Sequence, residues 1–164
     1  MGRLGLGTIK MKTIVALALA VATAAPGVAA AQNASLGAHS GSYSLRSGFT
    51  PDPFRVQVTA GGSIDAYGDT PLPAACVGKI SNAPDIEITY TAGSLPLVFR
   101  TRSSSDTTLI INGPDGSWYC DDDSWGDGDA QVFFSKPTSG TYDVWIGKFS
   151  SGTASATLLV TETP

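Results

Sequence analysis

The chain has 164 residues, with ten basic residues, 14 acidic ones and a single histidine, and a formal charge of −4. Removing Arg3, Lys10 and Lys12, which precede or flank an apolar leader, leaves seven basic residues against the same 14 acidic ones, a formal charge of −7. Phosphate binding needs a basic surface, so this balance argues against a nucleic-acid partner.

Lys10 and Lys12 lead into an apolar stretch from Thr13 to Ala25, which Pro26 and Gly27 break and Ala29, Ala30 and Ala31 follow. This pattern predicts a secretory signal peptide over residues 1–31 with cleavage before Gln32, and Met11 heads a better-proportioned signal than Met1. The apolar stretch is shorter than the roughly 20 residues a membrane-spanning helix requires. The product is therefore expected to be exported, to the periplasm or the medium, with no membrane span after processing. One domain is expected from the remaining length. Residues 32–42, rich in Ala, Ser and Gly, read as a flexible lead-in, and residues 43–164 as the domain.

Beyond the lead-in, apolar residues recur with a period of two, and Gly, Pro, Asn or Asp separate the runs. This predicts strands at 43–46, 55–60, 77–81, 85–92, 97–103, 107–112, 130–135, 141–149 and 155–161. No stretch shows a sustained helical period. The architecture expected is all-β, an antiparallel β-sandwich or jelly roll of about eight or nine strands. The Asn112-Gly113-Pro114-Asp115-Gly116 segment carries the residues of a tight turn. In the 141–149 strand, Tyr142, Val144 and Ile146 form the core face, which leaves Trp145 partly exposed or covered by a loop.

The two cysteines, Cys76 and Cys120, fall in the exported part with no thiol left over, and one disulfide is the economical pairing. Just after Cys120 come Asp121, Asp122, Asp123, Asp127 and Asp129, with no basic residue among them. Such a run is either solvated or neutralised by a hard cation, Ca²⁺ before any other, with Asp106 as a further ligand from the preceding strand. It does not follow the EF-hand spacing, so a Ca²⁺ site here is an irregular loop site. The nearby Trp118, Tyr119 and Trp125 offer faces on which a sugar ring can stack; packing over the sandwich end is their structural alternative.

Catalysis finds less support. The lone histidine, His39, lies in the lead-in, and the sequence contains no Gly-x-Ser-x-Gly elbow or Ser-x-x-Lys pair. One histidine does not make a zinc site. Carboxylate pairs in the Asp run have the spacing glycoside hydrolysis needs, but not an environment suited to a raised pKa.

The segments Asp106-Thr107-Thr108-Leu109, Pro114-Asp115-Gly116, Asp121-Asp122-Asp123 and Ser139 to Gly147 resemble the bacterial pre-peptidase C-terminal domain family. The resemblance spans roughly residues 85–162. It implies a small secreted β-sandwich of the kind found on extracellular peptidases, non-catalytic and in some relatives Ca²⁺-binding. The expectation is a stand-alone, non-enzymatic binding or accessory module whose partner is an extracellular or periplasmic protein or polysaccharide. A carbohydrate-binding module and an unrecognised hydrolase are the alternatives.

Overall fold

The computed structural model describes residues 32–164 together with Met1 and Gly2. The rest of the expected signal peptide lies outside the described residues. Eleven strands follow in order: β1 (Ser42–Arg46), β2 (Phe54–Gly61), β3 (Ile64–Asp65), β4 (Lys79–Ile80), β5 (Ile86–Thr91), β6 (Leu97–Ser103), β7 (Thr107–Asn112), β8 (Trp118–Asp121), β9 (Gln131–Phe134), β10 (Gly140–Lys148) and β11 (Thr153–Thr161). They form two sheets, and the described residues contain no helix. The larger, seven-stranded sheet is built on β10, which pairs with β5 and β4 along one side and with β7 along the other. The smaller sheet runs β2, β11, β6, β9.

Alternation builds the core. Val56, Val58, Ile86, Ile88, Phe99, Leu109, Ile111, Tyr142, Val144, Ile146, Leu158 and Val160 come from the inward faces of both sheets and pack together. Trp145 faces the other way and is fully buried all the same. It sits in a second cluster on the outer side of the large sheet, with Ile64, Ala66, Leu72, Cys76, Ile80 and Ile110. The covering loop is stapled by the Cys76–Cys120 disulfide, whose Cα atoms lie 5.0 Å apart. A buried tryptophan removes roughly 150–250 Å² from water. At ~25 cal/mol per Å² that is on the order of 5 kcal/mol of gross stabilisation, which the staple secures.

Four features depart from the sequence expectation. β3 and β8 are additional strands, short and flanked by turn residues that hide their period. The 77–81 run contributes only the two-residue β4. β1 pairs with β5 in parallel, Tyr43 opposite Ile88, within an otherwise antiparallel fold. The lead-in, expected to be flexible, is fastened to the 82–85 segment: His39 N–H donates to the Pro84 carbonyl at 2.9 Å, Ser40 N–H to that of Asp85 at 2.8 Å, and Asn33 N–H to that of Asn82 at 2.7 Å. Small polar residues showed no period because this segment bonds through its backbone rather than through apolar side chains.

Asp85 bridges a gap in the large sheet. β10 leaves β5 at Val144 and meets β4 only at Lys148. Between them, Ile146 N–H donates to Asp85 Oδ2 at 2.7 Å, so a side chain supplies the acceptor that a strand would otherwise provide. Burial pushes the Asp85 carboxyl up to about 7, against hydrogen bonds from Ile146 and Ser81.

Candidate functional site

The acidic run forms the corner at which the chain passes from β8 in the large sheet to β9 in the small one. Asp121 is committed to this corner. Its Oδ2 accepts from Ser124 N–H at 3.0 Å, Ser124 Oγ at 2.9 Å and Gln131 N–H at 2.8 Å. Since β9 is an edge strand, the bond to Gln131 caps one of its outward backbone groups. Asp129 is also committed: it is 2 % exposed, its Oδ1 accepts from Ser103 N–H at 2.9 Å, and its Oδ2 lies 3.6 Å from Arg102 Nε. Burial raises its pKa while the Ser103 bond and Arg102 oppose the rise.

Asp122, Asp123 and Asp127 lie at the rim of the turn, where Asp127 adopts φ 57°. Burial, then Asp123 and Asp122, push the Asp106 carboxyl up. Among the described residues, no three His, Cys, Asp or Glu side chains converge in a way that could hold a metal ion. Asp121 and Asp129 are turned to internal donors, which takes acceptor oxygens away from the six to eight that Ca²⁺ takes.

The three aromatics expected to act together are separated. Trp118 and Tyr119 are consecutive on β8 and project to opposite faces. Trp118 packs on Trp145 with centroids 5.5 Å apart, over the outer cluster. Tyr119 packs on Phe134 at 4.8 Å, and its hydroxyl donates to Asp115 Oδ2 at 2.9 Å. Trp125 lies beyond the corner, beside the small sheet, where the Arg100 guanidinium carbon is 3.7 Å from its ring centroid.

Two outward surfaces remain. On the large sheet, beside the covering loop, the register aligns Ser42, Glu87, Asp143, Asn112 and Trp118 across five strands. Glu87 and Asp143 stand directly opposite each other. Burial and the Glu87 charge push the Asp143 carboxyl up to about 6.

The small sheet presents the opposite charge. Register places Arg55 beside Leu159, Leu159 beside Arg100 and Arg100 beside Gln131; one step along, Gln57 neighbours Thr157 and Thr157 neighbours Arg102. With Phe133 on β9, these outward positions hold three of the seven basic residues of 32–164 and no acidic one. Arg100 is held by its Nε donating to Gln131 Oε1 at 2.6 Å and Nη1 to the Thr163 carbonyl at 3.4 Å. It lines a cleft of about 290 Å³ with Asp52, Pro53, Leu159, Thr161, Thr163 and Pro164. The arginines were legible in the sequence as alternate residues of strands, but only the register gathers them.

No protein-family model matches the chain. No curated protein matches it. Among solved structures it is similar to the crystal structure of Aeromonas hydrophila PliG, a periplasmic inhibitor of g-type lysozyme, at 15% identity and a TM-score of 0.36, over 73% of this chain and 96% of that one. A likeness at that level carries no argument about function. No helix among the described residues is long and apolar enough to cross a membrane.

Proposed function

We propose that this protein is an exported, non-catalytic binding module that engages its partner through the outward face of the small sheet. The observation that carries the reading is the unequal treatment of the two sheets. A stapled loop covers much of the large sheet's outer side, whereas the small sheet leaves outward a surface with three arginines, the half-exposed Phe133 and Trp125. Arginine and aromatic residues are the side chains that most often concentrate binding energy. Export is supported by the leader and by the disulfide, which an oxidising compartment maintains. Membership in the pre-peptidase C-terminal family belongs to the same proposal: its motifs fall on β7, the β7–β8 turn, the acidic corner and β10, a contiguous part of the molecule.

Masking the face tests this. Gln57 is exposed on β2, beside Thr157 and between the rows of Arg55 and Gly61, and Gln57→Cys coupled to a polyethylene glycol chain long enough to reach β9 covers the surface without replacing an arginine. Retention on immobilised polypeptides and polysaccharides is expected to disappear in the masked protein. Retention that ignores the mask, or turnover of peptide or glycoside substrates, contradicts the reading.

A second reading has its own support. The row Glu87, Asp143, Asn112 and Trp118 sets hydrogen-bonding groups beside an aromatic ring, the combination that holds a sugar. Trp118→Ala would abolish polysaccharide retention if that row is the site, and Trp125→Ala would not.

A further inference from the structure

We infer that the partner of the small-sheet face is an acidic polypeptide segment; this rests on the binding reading above. Arg55 and Arg100 flank Leu159, one strand to either side, so their Cα atoms are separated by about two strand spacings, roughly 9.6 Å. Arg102 is two residues further along β6 on the same face, roughly 7 Å from Arg100. The three arginines therefore stand on a triangle of Cα positions whose spacing suits carboxylates spread along an extended chain. Arg55 presents a planar fork of donors suited to a carboxylate, while Arg100 and Arg102 offer the guanidinium donors that Gln131, the Thr163 carbonyl and Asp129 do not take. Outside this face the chain carries most of its surplus negative charge, so attraction to an acidic partner is local to these strands and repulsion elsewhere fixes its orientation.

The same surface suits a polypeptide better than an acidic polysaccharide. A sugar ring needs an open aromatic face, and Arg100 already lies over one face of the Trp125 ring. An apolar contact is also present: Phe133 is 48 % exposed at the neighbouring edge, while Leu159 between the two arginines is itself buried. Finally, β9 is an edge strand. Asp121 and Ser124 cap its backbone at Gln131, and Phe133, two residues on and facing the same way, has no such cap among the described residues. An extended peptide can pair there through its main chain, which a polysaccharide cannot do.

The test uses the oxidised protein, with poly-L-glutamate as the probe and polygalacturonate as the comparison. Poly-L-glutamate is expected to bind at low salt, to be displaced as salt rises, and to bind about tenfold or more weakly to the Arg55→Gln/Arg102→Gln variant. Both positions are exposed, and an Arg55→Lys/Arg102→Lys variant that retains most of the affinity separates lost charge from lost fold. Failure of the wild type to bind poly-L-glutamate, or preferential binding of polygalacturonate, overturns the inference. If the Gln57→Cys mask abolishes binding while the glutamine pair leaves it unchanged, the face is correct and the acidic partner wrong. Binding that survives the mask overturns both.

Discussion

The Arg100 guanidinium lies 3.7 Å from the centroid of the Trp125 ring, so a residue of β6 and a residue of the acidic corner hold one another across the edge of the small sheet. The contact positions a cation on the proposed binding face and gives an otherwise exposed loop a fixed point. Such a partly exposed cation–π pair contributes about 0.5–2 kcal/mol. Trp125→Ala is therefore expected to lower stability to urea by about 1 kcal/mol and to weaken poly-L-glutamate binding through loss of Arg100 positioning. Unchanged stability and binding would remove the contact from the account.

The disulfide secures the loop that covers Trp145. Reduction is expected to cost roughly 4 kcal/mol for a loop of this length on the chain-entropy model. The signature is specific: tryptophan emission should shift to the red as Trp145 and Trp118 gain access to water. Reduction without such a shift would mean that the outer cluster holds without its staple.

Two carboxyls, the buried Asp85 and the half-buried Asp143, contribute most visibly to the pH dependence. Asp85 titrates at about 7 and Asp143 at about 6 in the folded protein, raised chiefly by burial, against about 3.9 unfolded. Between those limits the folded state binds more protons than the unfolded one, so stability falls as pH rises from about 4 to 7. Asp85→Asn keeps an acceptor for Ile146 N–H without a charge. Its loss of stability between pH 5 and pH 8 is expected to be smaller than the wild type's by on the order of 2 kcal/mol, measured by urea denaturation at each pH. An equal slope in both proteins would contradict the assignment.

Tyr90 and Glu162 fasten the end of the last strand. The Tyr90 hydroxyl donates to Glu162 Oε1 at 2.7 Å, and Gly48 N–H donates to Oε2 at 2.8 Å. Glu162 is buried, so Tyr90→Phe leaves a carboxylate oxygen without its partner. A loss of about 1–3 kcal/mol is expected in equilibrium unfolding, and Glu162→Gln should reduce the effect of the tyrosine change in a double-mutant cycle.

For the acidic corner, where internal donors engage Asp121 and Asp129, exchange of EDTA for millimolar Ca²⁺ is expected to leave the thermal midpoint within about one degree. A rise of several degrees, lost in Asp121→Asn/Asp123→Asn, would assign the corner to the metal instead.

Much of the fold was legible because half-buried strands write their period into the sequence. Leu97–Ser103 and Thr107–Asn112 stand at the predicted bounds, and the disulfide joins the two cysteines available. What alternation does not encode is pairing. The parallel β1–β5 register, the docking of His39 and Ser40 and the use of Asp85 as a sheet acceptor all depend on backbone groups that every residue shares. The binding face was hidden for the same reason. Arg55 and Arg100 are 45 positions apart in sequence and become near neighbours only when Leu159 joins their strands. The Asp run, conspicuous as a string of charge, divides in space into two committed acids and an exposed rim.

The central claim, that the small sheet carries the binding face, is tested most directly by fluorine NMR of protein labelled with 5-fluorotryptophan. Trp118, Trp125 and Trp145 give three reporters: one on the large sheet, one beside the arginines and one fully buried. On titration with poly-L-glutamate, the Trp125 resonance is predicted to shift while those of Trp118 and Trp145 stay in place. A shift confined to Trp118 would put the binding site on the large sheet and contradict the account.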